Sequence, residues 1–289
     1  MAIRNACSSD GITPIALHQL SAMEVRPMEA FVRLAAEAGY TAVDIFVRWR
    51  PAMIAGPAMI DGAQELQEVR AILADNGLVV SNLESFPIVP EFDWQAFERA
   101  VALGGELGAR SLTMFLCDPD MARGWATLAR AAELAASHGL WIGIETTPIN
   151  RIPRLTDLAR AIIAEGIGNL RCVVDILHAH RNGEGPADMA EIAPGLVGGV
   201  QVMDAPLALP GPADHEPFQR RMMEALTQRL FPGEGELPLA GWLAALPAGA
   251  PLSLEVPHAR AAEHMDASAR ARAALCGLRA ILAQMSDHP

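Results

Sequence analysis

Four polar side chains each end a short apolar run of the kind that forms a β-strand. Three are carboxylates, Glu145 in WIGIETT, Asp175 in LRCVVDIL and Glu255 in PLSLEVP, and the fourth is the amide of Gln201 in GGVQVMDA. A helical pattern follows each run, so the four side chains are predicted to meet at the carboxyl ends of parallel strands, where α/β barrels place their catalytic groups. Carboxylate and amide oxygens are ligands for hard divalent cations, so the pattern predicts a metal site.

The donor types also indicate which ion this site would hold. Oxygen ligands favour Mg²⁺ or Mn²⁺ over Zn²⁺, which is bound mainly through thiolate and imidazole groups. The cysteines, Cys7, Cys117, Cys172 and Cys276, are dispersed and form no C-x-x-C pair. One Mn²⁺ or Mg²⁺ ion would act as a Lewis acid on a substrate carbonyl and ease removal of the proton from the neighbouring carbon. Isomerisation, epimerisation and β-elimination all begin with that step.

The elements that position these side chains alternate regularly along the chain. Strand-like runs at 12–20, 41–46, 78–85 and 111–116 precede the four strands already named. The predicted helices cover residues 27–39, 61–76, 92–107, 121–139, 155–165, 187–192, 214–230, 239–246 and 262–285. Alternating βα units of this number predict an α/β fold, a (β/α)8 TIM barrel that spans residues 1–289 as a single domain. The hydrophobic fraction of 51% suits parallel strands that are buried on both faces.

Composition excludes several classes of function. The formal net charge is -12, whereas nucleic-acid binders carry a basic patch, so no nucleic-acid partner is expected. The chain contains no lysine, which excludes Schiff-base aldolases, pyridoxal-phosphate enzymes and lysine-bearing phosphate loops. No run reaches the ~20 apolar residues of a membrane span, and the first residues lack the apolar core of a signal peptide. We therefore expect a cytoplasmic protein without a membrane partner.

The first half of the chain offers weaker candidates for a substrate pocket. His18 ends the first strand and Glu84 ends the third, so both are expected at the top of the barrel. Trp49 follows the second strand and lies between Arg48 and Arg50. An aromatic ring with two guanidinium groups is suited to an anionic, ring-like substrate, although the same residues are also typical of a solvated loop edge.

A loop after the second strand bears on assembly. Its sequence, PAMIAGPAMI at 51–60, is rich in Met, Pro and Ile. Exposed apolar loops of this kind are commonly covered by a partner. We expect a homo-oligomer, a dimer or tetramer that buries residues 53–60.

The second half of the chain resembles a known family. The motifs IETTP, VVDILHAH, VQVMDAP, RLFPGEGELPL and LSLEVP, within about 140–257, are similar in order and spacing to those of xylose-isomerase-like barrels, which include sugar-phosphate isomerases, ketose 3-epimerases and inosose dehydratases. The resemblance implies that His178 contacts substrate, that Arg229 binds a substrate oxygen, and that the metal ligands are Glu145, Asp175, Gln201 and Glu255. Gln201 stands where most members have histidine, which is similar to bacterial 3-dehydroshikimate dehydratases.

Several functions stay open at this point. The first is a metal-dependent isomerase or epimerase for a small polyhydroxy ketone or aldehyde, in which Glu145 and Glu255 are the acid/base pair as well as ligands. The second is a dehydratase, in which His178 or a carboxylate assists departure of water. The third is a relative of abasic-site endonucleases, which share the barrel but need a histidine-rich metal cluster and a basic cleft. A non-catalytic binding barrel would not need a complete ligand set.

Overall fold

The fold is a closed barrel of eight parallel strands, each paired with the next along the chain and the last paired with the first. This confirms the predicted (β/α)8 architecture. The computed structural model describes residues 13–49, 54–212 and 214–287. The strands are β1 (Ile15–His18), β2 (Ala42–Phe46), β3 (Val79–Ile88), β4 (Ser111–Leu116), β5 (Trp141–Glu145), β6 (Leu170–Asp175), β7 (Val197–Val202) and β8 (Leu252–Leu254).

Helices surround the barrel and connect its strands. They are α1 (Met28–Ala38), α2 (Gly62–Asp75), α3 (Trp94–Leu107), α4 (Met121–Ser137), α5 (Leu155–Glu165), α6 (Ile176–Arg181), α7 (Pro217–Thr227), α8 (Leu239–Ala245), α9 (Ala259–Ala262) and α10 (Ala267–Asp287). Among the described residues, no helix combines the length and the apolar character that a membrane crossing requires.

The main hydrophobic core lies between the barrel and its helices. Alternate strand residues point outward, and Val43, Ile45 and Leu112 are fully buried on that side. The helices cover them with one apolar face, as α1 does with Phe31 and Val32. This shell fixes the strands, so the residues at their carboxyl ends are held in a defined ring.

Some predicted boundaries were wrong, and side-chain caps explain two of them. The strand predicted to reach Leu177 ends at Asp175, because Asp175 Oδ1 accepts the backbone N–H of His178 at 2.8 Å and starts α6. The helix predicted at 262–285 begins at Ala267, because Asp266 Oδ1 accepts the backbone N–H of Ala269 at 2.7 Å and starts α10; the short helix α9 ends at Ala262. The helix predicted at 187–192 is a 3₁₀ helix, Pro186–Glu191.

Several polar side chains lie in the barrel interior beneath the strand ends. TIM barrels normally fill this space with layers of bulky branched side chains. Here Asp44, Asn82, Ser111 and Ser253 line a cavity of about 630 Å³ that is bordered by the amino ends of β4, β5, β7 and β8. We call this space the lower cavity. Gln201 also lines it and forms part of its roof.

Candidate functional site

A second cavity, of about 310 Å³, lies at the carboxyl ends of the strands. We call it the upper cavity. Of the nine residues predicted for the site, eight line it: His18, Trp49, Glu84, Glu145, His178, Gln201, Arg229 and Glu255. The ninth, Asp175, is fully buried beside it and contacts Arg229. The structure therefore brings the predicted residues together, from both halves of the chain.

Three of these residues form a compact group of possible metal ligands. One side-chain atom from each of Glu145, Asp175 and His178 lies within 4.8 Å of the other two. His178 Nε2 is 3.8 Å from Glu145 Oε1 and 4.0 Å from Asp175 Oδ2. Gln201 joins the group because its Nε2 donates to Glu145 Oε2 at 3.4 Å. This hydrogen bond leaves Gln201 Oε1 buried without a partner.

Arg229 binds two of the predicted metal ligands. Its Nη1 donates to Asp175 Oδ2 at 2.7 Å, and its Nη2 is 3.2 Å from Glu255 Oε1. Its Nε donates to the carbonyl oxygen of Ala225 on α7 at 2.9 Å. The side chain is 1% exposed, so this cation is an internal partner of the carboxylates. Arg229 also lines the upper cavity, where the resemblance predicts that it binds a substrate oxygen.

Glu255 is held in place from β1. Ser21, just after β1, donates its hydroxyl to the carbonyl of Leu254 at 2.9 Å and accepts the backbone N–H of Val256 at 2.7 Å. These two hydrogen bonds fix the backbone on both sides of Glu255. Its Oε1 faces Arg229, and its Oε2 is buried without a hydrogen-bond partner.

His18 lies between two carboxylates. Its Nε2 is 3.4 Å from Glu84 Oε1 and 4.0 Å from Glu255 Oε2. Burial lowers the pKa of His18, but the charges of Glu255 and Glu84 outweigh burial and raise this pKa to about 9. The carboxylates favour a charged ring, whereas the backbone N–H of Leu20, 3.1 Å from Nδ1, favours a neutral ring with its proton on Nε2. In both states Nε2–H faces Glu84.

The two predicted acid/base carboxylates are less acidic than an ordinary glutamate. Burial, together with the charges of Glu255 and Asp175, raises the pKa of Glu145 well above its usual range. Burial also raises the pKa of Glu255, although Arg229 opposes the shift. Arg229 has the larger effect on Asp175, whose pKa is lowered even though burial acts to raise it. The pocket therefore holds carboxyl groups with different proton affinities, which is the arrangement that acid/base catalysis uses.

The residues fit a bound divalent cation. Five carboxyl groups surround the upper cavity and its floor, and they face two cationic side chains: Asp44, Glu84, Glu145, Asp175 and Glu255 against Arg229 and His18. Closely spaced buried carboxyl groups repel one another when they ionise, and this repulsion favours binding of a cation. Gln201 Oε1 and Glu255 Oε2 are both buried oxygens without a protein partner. Gln201 Oε1 lies on the side chain that contacts Glu145, so this oxygen is suited to complete the coordination of an ion held by the Glu145, Asp175 and His178 group.

Trp49 closes one side of the upper cavity. Its ring packs edge-on against Phe46, with ring centres 5.0 Å apart, and its Nε1 donates to the carbonyl of Ile54 at 3.4 Å. A Cβ atom on Gly56 would lie 2.6 Å from the Trp49 ring, so the close approach of this loop requires glycine. Arg50, considered with Trp49 in the sequence, lies outside the described residues.

The sequence did not predict the apolar wall of the upper cavity. Phe115 from β4, Ile149 after β5, and Met222 and Leu226 from α7 all line it. Met222 and Leu226 are four residues apart on α7, so they lie on the same face of the helix. This i, i+4 spacing of apolar residues was the sequence signal that could have predicted the wall. The wall places apolar side chains beside the charged floor, and such low-polarity surroundings strengthen electrostatic interactions.

Asp44 is a further residue that the sequence did not single out. Its shifted pKa predicts that the stability of the folded protein depends on pH. Burial raises the pKa of Asp44 to about 7, against the opposing effect of His18, while Glu84 and Glu255 add to the rise. An unfolded aspartate ionises near 3.8, so the folded state binds more protons between these two values and stability falls as pH rises through that window.

We expect Asp44→Asn to raise the free energy of unfolding of the metal-free protein at pH 8 by a few kcal/mol, because each unit of pKa shift contributes at most about 1.4 kcal/mol. At pH 4 the substitution should leave the free energy of unfolding nearly unchanged. Thermal and urea unfolding at both pH values measure the difference. Asp157→Asn, on the exposed face of α5, is the matched control and should give no pH-dependent gain. An Asp44→Asn effect of equal size at both pH values would contradict the shifted pKa.

The fold and the site define an α/β barrel with a buried, carboxylate-rich centre at the carboxyl ends of its strands. The chain belongs to the xylose isomerase-like TIM barrel family, whose family model matches residues 32–280. This confirms the resemblance predicted from the motifs. A comparison with curated proteins finds no match to this sequence.

Solved structures share the fold over nearly the whole chain. A xylose isomerase domain protein from Alicyclobacillus acidocaldarius subsp. acidocaldarius matches at 26% identity and a TM-score of 0.68, covering 94% of this chain and 99% of that one. A fusion of a xylose isomerase-like TIM barrel with a 4-hydroxyphenylpyruvate dioxygenase matches at 21% identity and a TM-score of 0.74, covering 94% of this chain. This chain spans only 43% of the length of that fusion protein.

More distant structures add enzymes of several reaction types. The probable 3-DHS dehydratase AsbF from Bacillus anthracis matches at 13% identity and a TM-score of 0.71, covering 92% of this chain and 98% of that one. An L-ribulose 3-epimerase and an IolI structure with a binding zinc atom share the fold at 17% and 14% identity, with TM-scores of 0.67 and 0.73. Relatives by fold therefore include epimerases and a dehydratase.

Proposed function

We propose that this protein is a divalent-metal-dependent isomerase or epimerase, which removes the proton α to a carbonyl of a small, sugar-like polyhydroxy ketone or aldehyde. One observation carries the proposal: Glu145 and Glu255, both with raised pKa, line the same buried cavity as a group of possible metal ligands. Membership of the family and the epimerases among the structures with this fold support it.

The ion would be held by Glu145, Asp175, Gln201 and Glu255, the set that the sequence predicts. Their oxygens suit Mn²⁺ or Mg²⁺, and the zinc in the IolI structure makes Zn²⁺ a further candidate. When bound, such an ion polarises the substrate carbonyl as a Lewis acid. Proton transfer and substrate binding would be carried out by side chains of the protein.

Glu255 is the proposed base. Its Oε2 has no protein partner, so a substrate C–H in the upper cavity can reach it without displacing a hydrogen bond. Glu145, which lines the same cavity, is the proposed acid that returns a proton to the carbon skeleton. Arg229 donates its free N–H groups to a substrate oxygen, and Glu84 with His18 binds hydroxyl groups at the opposite side. Trp49 packs against the body of the substrate.

A dehydratase is the second candidate. Gln201 at the end of β7, together with the V-Q-x-x-D-A-P and F-P-G-x-G motifs, favours it, because these features resemble bacterial 3-dehydroshikimate dehydratases. The same proton removal begins this reaction, and loss of a β-hydroxyl replaces proton return. A cavity in which carboxyl groups outnumber cations argues against a polyanionic substrate, so we do not propose the endonuclease alternative.

The decisive experiment incubates the manganese-loaded protein in deuterated water with a panel of ketoses, inososes and 3-dehydroshikimate. We expect deuterium at the carbon α to the carbonyl of at least one substrate, read by NMR and mass spectrometry. Retention of all hydroxyl groups identifies the isomerase or epimerase, and loss of one water identifies the dehydratase. Absence of exchange across the whole panel, with metal bound, would count against the proposed function.

The expected assembly stays a prediction. We propose a homo-oligomer that covers the loop after β2. Of this loop, residues 54–60 are described and 51–53 are not; Met59 is 43% exposed. Other large apolar side chains are exposed on α7 and in the loop before it: Leu207, Phe218 and Met223.

A further inference from the structure

We infer that the lower cavity is a second ligand site, which binds a small anion that carries hydroxyl groups, such as a sugar acid or a sugar phosphate. This site lies at the amino ends of the strands, away from the upper cavity. The inference goes beyond the proposed function and does not depend on it, because the residues that carry it take no part in the proposed reaction.

The lower cavity has the size of a ligand site. Its volume of about 630 Å³ is about twice the 310 Å³ of the upper cavity. Small-molecule sites in proteins commonly measure ~300–1,000 Å³. A Cβ atom on Gly199, which lines the cavity, would meet no other atom within 4 Å. The lining continues to the exposed residues Gly195 and Gly249, so the space reaches the surface of the molecule.

Two polar atoms of the lining, Asp44 Oδ1 and Ser253 Oγ, have no hydrogen-bond partner, although both residues are more than nine-tenths buried. The two side chains are neighbours, but no hydrogen bond of normal geometry joins these two atoms. Asn82 and Ser111 line the same cavity and are paired: Asn82 Nδ2 donates to Thr113 Oγ1 at 2.7 Å, and Ser111 Oγ donates to Asn82 Oδ1 at 2.6 Å. Because unpaired buried polar atoms are costly, the two unpartnered atoms are suited to a hydroxyl group of a bound molecule.

The charge of the lining favours an anion. Arg110 and Arg171 line the lower cavity, and Asp44 is the one acidic residue among the described residues that do so. This balance is opposite to the net charge of -12 of the whole chain. Burial lowers the pKa of Arg171, and no neighbouring carboxylate offsets that effect. A carboxylate or phosphate group would supply the missing partner, because arginine binds both through paired N–H groups.

Trp141 holds Arg171 in place beside the cavity. Arg171 Cζ lies 5.0 Å from the centre of the Trp141 ring, as in a cation–π pair. A Cβ atom on Gly198 would overlap this ring, and one on Gly143 would lie 3.1 Å from it, so two glycines make room for the tryptophan. The stacked guanidinium has less conformational freedom to lose when it binds an anion.

The strand register shows how a ligand would lie. Asp44 pairs with Asn82, Asn82 with Ser111, and Ser111 with Trp141. These residues form a row on four neighbouring strands, with Asp44 and Trp141 at its ends. Three strand steps in an eight-stranded barrel lead almost to the opposite wall, so a ligand that contacts both ends lies across the barrel. Its anionic group would meet Arg171 beside Trp141, and its hydroxyl groups would meet Asp44 and the neighbouring Ser253.

The test is isothermal titration calorimetry of the full-length protein with D-gluconate, D-sorbitol 6-phosphate, inorganic phosphate and neutral D-sorbitol. None of these probes is a ketone or aldehyde, so none is a substrate of the proposed reaction. We expect saturable binding of one equivalent of gluconate or sorbitol 6-phosphate, weaker binding of phosphate and no binding of sorbitol. The tighter of the two hydroxylated anions tells whether the site takes a sugar acid or a sugar phosphate.

Substitutions test each end of the site. Arg171→Met should weaken binding of the hydroxylated anion by about 10–100-fold, the loss expected for a hydrogen bond to a charged group. Arg130→Met is the matched control, because Arg130 also stacks on a tryptophan, with its Cζ 3.8 Å from the Trp94 ring centre, but does not line the cavity. It should bind as the wild type does. Ser253→Ala should weaken the hydroxylated anion by about 3–10-fold and leave phosphate binding unchanged.

Two variants that each fill one cavity locate the bound anion. Gly199→Leu places a side chain in the lower cavity and should abolish binding. Met222→Trp narrows the upper cavity and should leave binding unchanged. Circular dichroism checks the fold of both variants, and Gly199→Val replaces the leucine variant if that variant is unfolded.

Two results would overturn the inference. One is binding that is lost in Met222→Trp and kept in Gly199→Leu, which would place the anion in the upper cavity. The other is absence of binding for every anion of the panel, which would leave water as the occupant of the lower cavity. Absence of proton exchange in deuterated water would refute the proposed function and leave these binding results standing.

Discussion

Glu255→Gln is expected to lower the rate of α-proton exchange by about 10²–10⁴-fold, the contribution of a positioned general acid or base. Glutamine has the same size and its carbonyl oxygen can still meet Arg229, as Oε1 of Glu255 does at 3.2 Å. It has no basic oxygen to take a proton from carbon. The loss should therefore fall on kcat. As Glu255 is also a proposed ligand, we expect weaker metal binding in the same variant.

Exchange of substrate hydrogen for deuterium, followed by NMR, measures this rate, and metal content is determined on the same samples. Glu234→Gln is the matched control: the side chain is 53% exposed, does not line the upper cavity and faces His258. This variant should exchange at the wild-type rate. Glu255→Gln with full metal content and a wild-type rate would show that another group removes the proton.

Arg229→Met should lower the free energy of unfolding of the metal-free protein by about 3–5 kcal/mol, because removing one partner of a buried ion pair leaves an uncompensated buried charge. Asp175 is fully buried and Glu255 nearly so, and both lose their guanidinium partner. Saturating Mn²⁺ should recover part of this loss, because the ion supplies positive charge beside the same carboxylates.

Urea unfolding with and without Mn²⁺ measures both effects. Arg160→Met is the control, since Arg160 forms an exposed pair with Asp157 at 2.8 Å and such pairs contribute about 1 kcal/mol or less. In the metal-loaded protein, Arg229→Met should also lower kcat by ~10²–10³-fold, as loss of one donor to a developing oxyanion does. Equal destabilisation by the two variants would contradict the internal pairing of Arg229.

Much of the fold could be predicted because this barrel has a repetitive pattern. Parallel strands that are buried on both faces give continuous apolar runs, and an acidic or amide residue at the end of such a run marks the catalytic end of the strand. Glu145, Asp175, Gln201 and Glu255 all follow that pattern. Boundaries were less predictable, because hydropathy does not show where a side chain such as Asp266 caps a helix.

The pairing within the site could not be predicted from local pattern. Arg229 and Asp175 are 54 residues apart, and nothing in either segment specifies their contact. Asp44 was within reach of the sequence argument, because it is an acidic residue inside the apolar run TAVDIF, as Glu255 is inside its own. It was missed because it lies before the end of its strand, in the part of the barrel that is usually filled with hydrocarbon.

The residues that line the lower cavity and the residues that stabilise the fold are largely different sets. Side chains such as Ser111 and Asn82 add little hydrophobic stabilisation from within the barrel, so folding depends on the outer shell, where Ile45 and Leu112 pack beneath the helices. Substitutions among the residues that line the lower cavity can then alter the floor of the upper cavity without weakening that shell.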